Sequence, residues 1–227
     1  MMQLQTLNQF QSILILSTLF IVVLVLGEVL HKKLKLKAEY SRKFIHIGVG
    51  LICVFSPFRF TNHLYVLVSA ILFFAVLVWS RRKKTIGSLH GIQRKSYGEL
   101  FFPVTIYLWY ILFKFYDFQL IFLLPLLLVS ISDPAAFFGG AIFNKNKKSM
   151  HGTLFFFVSA VIASLTLFFI IDFAPLSHLF GLTFVCAFAG ALVESKSLNG
   201  WDNLTVPVAI GGILIIYTEI FSQNGNI

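Results

Sequence analysis

Asp133 sits deep in an oily run, after Leu128-Val129-Ser130-Ile131-Ser132 and before Pro134-Ala135-Ala136-Phe137-Phe138-Gly139-Gly140. An ionisable group in hydrocarbon costs about 2.5–3.5 kcal/mol on insertion scales, so a carboxylate kept there faces a cavity, a partner or an ion. A hard cation such as Mg2+ satisfies a carboxylate and also seeks phosphate oxygens. The Pro, Ala and paired Gly that follow read as a helix that breaks or ends near Asp133. Irregular backbone at such depth is tolerated where it lines a cavity.

Other polar groups sit at the ends of apolar runs. Lys148-Ser149-Met150-His151-Gly152-Thr153 sets a cation, hydroxyls and a glycine before an apolar stretch. Free N–H groups at a helix start bind anions, so Lys148, Ser149 and Gly152 read as phosphate-binding, while Lys145 and Lys147 read as an ordinary basic loop. Arg42 and His46 are four residues apart and share a helix face. Arg42 or Lys43 could hold a phosphate, and His46 could hydrogen-bond it or act as a base; a snorkelling Arg and a packed His are the plain alternative. Tyr97-Gly98-Glu99 opens another run. Asp202-Asn203 precedes Leu204-Thr205-Val206-Pro207, and both residues are good N-caps, so capping competes with chemistry there. Glu194 equally well marks a helix end. His63, His90 and His178 show no partner spacing and receive no role. The stretch from Gly139 to Lys145 approaches a phosphate-binding loop. It fails because Asn144 and Asn146 replace the second glycine and the hydroxyl residue and no strand precedes it, which argues against a soluble-type ATPase site.

The elements that must position these groups follow from composition. Of 227 residues 58% are hydrophobic and 12% charged, with Phe alone at 27, and the mean hydropathy is +0.87. A soluble domain carries about a quarter charged residues. The expected fold is an all-α integral membrane protein, one polytopic domain over residues 1–227 with about eight (seven to nine) transmembrane helices. A span needs about 20 apolar residues. Candidates are 12–30, 44–58, 64–80, 99–115, 119–142, 153–172, 176–193 and 205–221, the second being short and so either tilted, re-entrant or starting earlier, near Tyr40. The uncharged stretch from Met1 to Gln11 lacks the basic region of a secretory signal, so the first run reads as a retained span. Cys53 and Cys186 lie in apolar runs without metal or disulfide spacing and read as small packing residues.

Loop charge sets orientation. Loops 31–43, 80–98, 143–152 and 194–204 hold all the Lys and Arg residues but Arg59 and Lys114. These loops alternate, so eight spans put them on one side, which the positive-inside rule makes cytoplasmic. Both termini then face outward. The net charge of +9 is accounted for by contact with membrane lipids, not nucleic acid.

At these residues the chain resembles the CTP-dependent polyprenol kinases, the family of dolichol kinase, phytol kinase and yeast-type diacylglycerol kinase, related to phosphatidate cytidylyltransferase. The resembling pieces are Arg42-Lys43-Phe44-Ile45-His46, Gly98-Glu99, Asp133-x-x-Ala136-x-x-x-Gly140, Lys148-Ser149-x-x-Gly152-Thr153 and Glu194-Ser195 with Asp202-Asn203-Leu204-Thr205-Val206-Pro207. They run in family order over most of the chain. Ser132 stands where the family has Gly, and Gly140-Ala141-Ile142-Phe143-Asn144 where it has Gly-Arg-x-x-Gly. The resemblance implies CTP as phosphate donor, Mg2+ as cofactor and a membrane-dissolved isoprenoid alcohol as acceptor.

The resulting expectation is a lipid kinase working at the cytoplasmic interface. Phosphoryl transfer needs chiefly positioning and charge neutralisation. Asp133, with Asp202 or Glu99, would hold Mg2+. Lys148, Arg42 and Lys43, with Ser149, Gly152, Thr153, Gly140 and Asn203 nearby, would hold phosphate. A carboxylate or His46 would take the hydroxyl proton. Diacylglycerol is another possible acceptor. The rivals are a cytidylyltransferase releasing pyrophosphate and a small transporter, though transporters gather polar groups at the midplane of repeated halves.

Overall fold

In the computed structural model residues 8–92, 96–143, 148–171 and 176–222 are described. Lys145 and Lys147 lie outside them. Every regular element among the described residues is helical: α1 (Gln9–Lys32), α2 (Ala38–Val54), a 3-10 turn (Ser56–Phe58), α3 (His63–Lys83), the short α4 (Gly87–His90), α5 (Gly98–Tyr116), α6 (Gln119–Phe143), α7 (Met150–Ile170), α8 (Leu176–Lys196) and α9 (Asp202–Ser222). Among them α1, α3, α5, α6, α7, α8 and α9 are long and apolar enough to cross a membrane. Their outward faces carry large apolar residues, such as Phe10, Ile21, Ile162 and Phe180, a surface suited to lipid.

The second expected span is α2. It begins at Ala38, earlier than 44, and at 17 residues with Glu39, Arg42, Lys43 and His46 in its first half it is shorter and more polar than the seven. It packs against α1 and α6. Its start meets α6, through the Lys43–Asp133 pair. Beyond its end the Arg59 carbonyl accepts a hydrogen bond from the Gln9 side chain at 3.4 Å, beside the start of α1. The described parts of the connections after α1, α3, α6 and α8 share one end, and α2 packs beside the seven longer helices.

Helix α6 is the axis. In its span 78% of the residues are buried, against 11% for α1, and it touches α2, α5, α7 and α9. The expectation of a break near Asp133 is wrong: α6 is continuous from Gln119 to Phe143 through Pro125 and Pro134. Proline interrupts a helix by withholding an N–H and crowding the carbonyl four residues back. The carbonyl that Pro134 leaves without its N–H is that of Ser130, and the residues beside it carry side-chain hydrogen bonds. The His46 ring reaches the Val129 carbonyl at 3.0 Å, and Ser130 Oγ donates to the Leu126 carbonyl at 2.6 Å.

Small residues bring the neighbours in. A Cβ built on Gly50 of α2 would sit 1.9 Å from Ser130 Oγ, and one on Gly152 of α7 would sit 2.8 Å from the Ala136 carbonyl oxygen. Glycine at these two crossings is a packing requirement, which presses α2 and α7 onto the Asp133 segment from two sides.

Two tests follow. Gly50→Ala should lower stability in detergent by about 1–3 kcal/mol, whereas Gly181→Ala, with nothing within 4 Å of its built Cβ, should not. In a chain freed of Cys53 and Cys186, membrane-impermeant thiol reagents should label Tyr97→Cys and Met150→Cys from the same side and Phe115→Cys from the other.

Candidate active site

The polar ends of α2, α5, α8 and α9 meet the middle of α6 at one cleft. Its empty volume is about 610 Å³, counted to its open mouth, and it is lined by Arg42, Lys43, His46, Glu99, Asp133, Asp202 and Asn203 on its polar side.

Its centre is a buried ion pair. Lys43 Nζ lies 2.5 Å from Asp133 Oδ2, and each side chain is 7% exposed. Lys43 reaches Asp133 because the two helices are held together at Gly50. His46, one turn along α2, places Nε2 3.8 Å from the same carboxylate oxygen. Since the Val129 carbonyl can only accept, Nε2 carries a proton. Only Nδ1 of His46 is then free to act as a base.

Two further acids close on Asp133. Single carboxylate oxygens of Asp133, Glu194 and Asp202 lie within 4.8 Å of one another. At an effective dielectric of ~20, each such pair of unit charges repels by roughly 3–4 kcal/mol. Lys148 partly offsets this. Its Nζ is 2.6 Å from Glu194 Oε1 and 3.7 Å from Asp202 Oδ2, and it donates to the Glu194 main-chain carbonyl. Two lysines thus face three acids drawn from three helices. Hard oxygen donors so grouped suit a divalent cation such as Mg2+.

A second cluster forms the opposite wall. Glu99 Oε1 is 3.0 Å from Arg81 Nη1, and Glu99 Oε2 is 4.0 Å from Arg42 Nη1. Arg42 donates to Ser96 Oγ at 2.7 Å and Arg81 to the Ser96 carbonyl at 2.8 Å. His90 of α4 stands 3.9 Å from Glu99; burial holds its imidazole below the usual histidine range, with Glu99 opposing. Glu28 fastens α4 by accepting the Gly87 and Ser88 N–H groups at 3.2 and 2.9 Å. Three buried polar atoms of cleft-lining residues lack a hydrogen-bond partner: Arg42 Nε, Glu99 Oε2 and Asn203 Oδ1. Buried polar atoms left so are costly unless a ligand, ion or water meets them.

Over this architecture the chain is 28% identical across 209 residues to a phytol kinase from Synechocystis sp., covering 86% of this chain and 85% of that protein. No family model matches, and no solved structure matches.

The remaining expected site residues are placed as follows. Ser149 caps α7, its Oγ accepting the Gly152 N–H at 3.2 Å, and Thr153 Oγ1 donates to the Ser149 carbonyl. Gly140 faces that cap, with Ser149 Oγ 3.4 Å from its built Cβ. These groups spend their hydrogen bonds locally, and Lys148 alone of the segment reaches the acids. Asp202 opens α9 and divides its oxygens: Oδ1 accepts the Asn203 N–H at 3.1 Å and Oδ2 faces Lys148. Glu194, read from sequence as equally a helix end, is a full member of the acidic group. Arg81 and Ser96 were not singled out, and His90, given no role from its spacing, stands beside Glu99.

The central pair yields a prediction. Lys43→Met should leave Asp133 charged and buried without its partner and lower stability in metal-free detergent by about 3–5 kcal/mol. Adding Asp133→Leu should recover most of that loss. Additive losses in unfolding measurements would mean that the pair does not act as a unit.

Proposed function

We propose that this chain is a lipid kinase that transfers the terminal phosphate of CTP to a membrane isoprenoid alcohol of the phytol, farnesol or polyprenol type. The observation that carries the reading is the three-carboxylate, two-lysine cluster at the polar end of a cleft whose other end is apolar. The similarity to a phytol kinase along nearly the whole of both chains supports it. So does the resemblance of the polar segments to the CTP-dependent polyprenol kinases.

In this reading Asp133, Glu194 and Asp202 would hold Mg2+, which would supply charge neutralisation for the phosphates. Lys148 and Lys43 exchange their carboxylate contacts for phosphate oxygens, and Arg42 adds charge at the mouth. Such electrostatic positioning is the principal work of phosphoryl transfer. The alcohol oxygen forms a bond to the terminal phosphorus as the bond to the leaving oxygen breaks. CDP departs, and the hydroxyl proton passes to a nearby base, for which Nδ1 of His46 or a carboxylate is placed. The cleft lies at the end of the bundle where the basic loops gather, so the nucleotide arrives from the cytoplasm and the alcohol from the bilayer.

Purified protein given CTP labelled on its terminal phosphate, Mg2+ and phytol or farnesol should form labelled lipid phosphate and CDP. ATP should serve less well. Asp133→Asn should reduce turnover by about 100-fold or more while the protein stays monodisperse. Pyrophosphate release with a lipid phosphate as acceptor would instead mark a cytidylyltransferase. Uptake of an unchanged solute into liposomes, with no product from any alcohol, would mark a transporter.

A further inference from the structure

We infer that the acceptor's hydrocarbon chain enters the cleft sideways between α1 and α3 and lies as a single strand against Leu24, Phe73 and Leu77, with the stacked pair Phe20–Phe73 as the floor that limits its length. This rests on the lipid-kinase reading and names how that site selects its substrate.

The cleft is two-sided in chemistry. Its charged residues occupy one end, and Leu24, Ile45, Val49, Phe73, Leu77 and Phe102 line the rest. The change from polar to apolar is ordered along two helices. On α2, Arg42 and Lys43 give way to Ile45 and Val49, which lies about 9 Å beyond Lys43 at 1.5 Å per residue. On α3, which runs the other way, Arg81 stands at the charged end, with Leu77 one turn below it and Phe73 about 12 Å below. Two helices thus mark the same depth for an apolar limb leading from the acids into the bundle. A molecule with a hydroxyl head and one long chain matches this gradient, with the head beside Asp133 and His46.

The side entrance follows from exposure. Leu24, Phe20 and Phe73 are each only partly buried, although Leu24 and Phe73 line the cleft. They therefore face both the interior and the outer surface between α1 and α3. The floor follows from the ring contact: Phe20 and Phe73 stack with centroids 5.1 Å apart and planes 19° from parallel. Phe20 is one turn below Leu24 on α1. Farther from the site, Leu16 and Val66 are 8% and 3% exposed, so the packing closes beneath the pair.

The test compares geraniol, farnesol, geranylgeraniol, phytol and diacylglycerol as acceptors for the purified full chain. Phe73→Ala and, from the other helix, Phe20→Ala should each shift the kcat/KM ratio of long to short alcohols upward by about tenfold. Phe73→Trp should shift it downward. A profile unchanged in all three variants, with activity retained, overturns the inference and leaves the kinase reading standing. Diacylglycerol as the preferred acceptor also overturns it, since two chains do not fit one limb. Absence of lipid phosphate from the unaltered protein overturns the kinase reading instead. An activity-independent arm uses a farnesol analogue with a photoreactive group at its far end, and cross-linked peptides should come from α1 and α3 around Phe20, Leu24 and Phe73. Labelling confined to α7, α8 or α9 would overturn the inference whatever the activity.

Discussion

Three carboxylates cannot be packed together inside a hydrophobic bundle unless something of opposite charge is held among them. That constraint organises this molecule. Asp133, Glu194 and Asp202 repel one another, and each is brought in by a different helix. Lys43 and Lys148 supply the opposite charge, one from α2 and one from the segment before α7. A lysine is a flexible point charge that can move from a carboxylate to a phosphate as a metal takes its place. The two lysines thus offset part of the charge that the three acids bring together.

The rest of the fold serves this centre. An acid in the middle of the most buried helix would be ruinous on a lipid-facing one. Here α6 is surrounded, and α2 sets the His46 ring against the Val129 carbonyl. The same histidine stands beside the acid, 3.8 Å from Asp133 Oδ2. Gly50 and Gly152 make both contacts possible by removing the Cβ atoms that would hold α2 and α7 away. On the opposite wall Arg42 and Arg81 share Glu99 and Ser96. This ties α2, α3 and the start of α5 together and bounds the mouth of the cleft.

Much of this was legible in the residues. Asp133 stood out because a charge in an apolar run demands an explanation, and Lys148, Arg42, Lys43, His46 and Asp202 stood out because they flank apolar runs on alternating loops. Charge alternation implied eight spans, whereas seven of the described helices are long and apolar enough and α2, short and polar, is not among them. The break at Pro134 was misread because a local rule about proline takes no account of the helices packed around α6, which is buried over most of its span. Glu194 could not be told from an ordinary helix end, since its partners lie far away in sequence. Arg81 was hidden in the run Arg81-Arg82-Lys83-Lys84, where only the fold distinguishes the one residue that turns inward. The apolar limb was invisible for a similar reason: Leu24, Val49, Phe73 and Leu77 look like any other span residues until the helices are assembled.

The central claim is that the three acids form one seat for a divalent cation. Electron paramagnetic resonance of Mn2+ added to the purified protein with CTP tests it directly. The account predicts a bound-Mn2+ signal that Mg2+ competes away and that Glu194→Gln and Asp202→Asn each weaken by about tenfold or more. Mn2+ binding unaltered by both substitutions, or no bound Mn2+ in a folded protein, would contradict it.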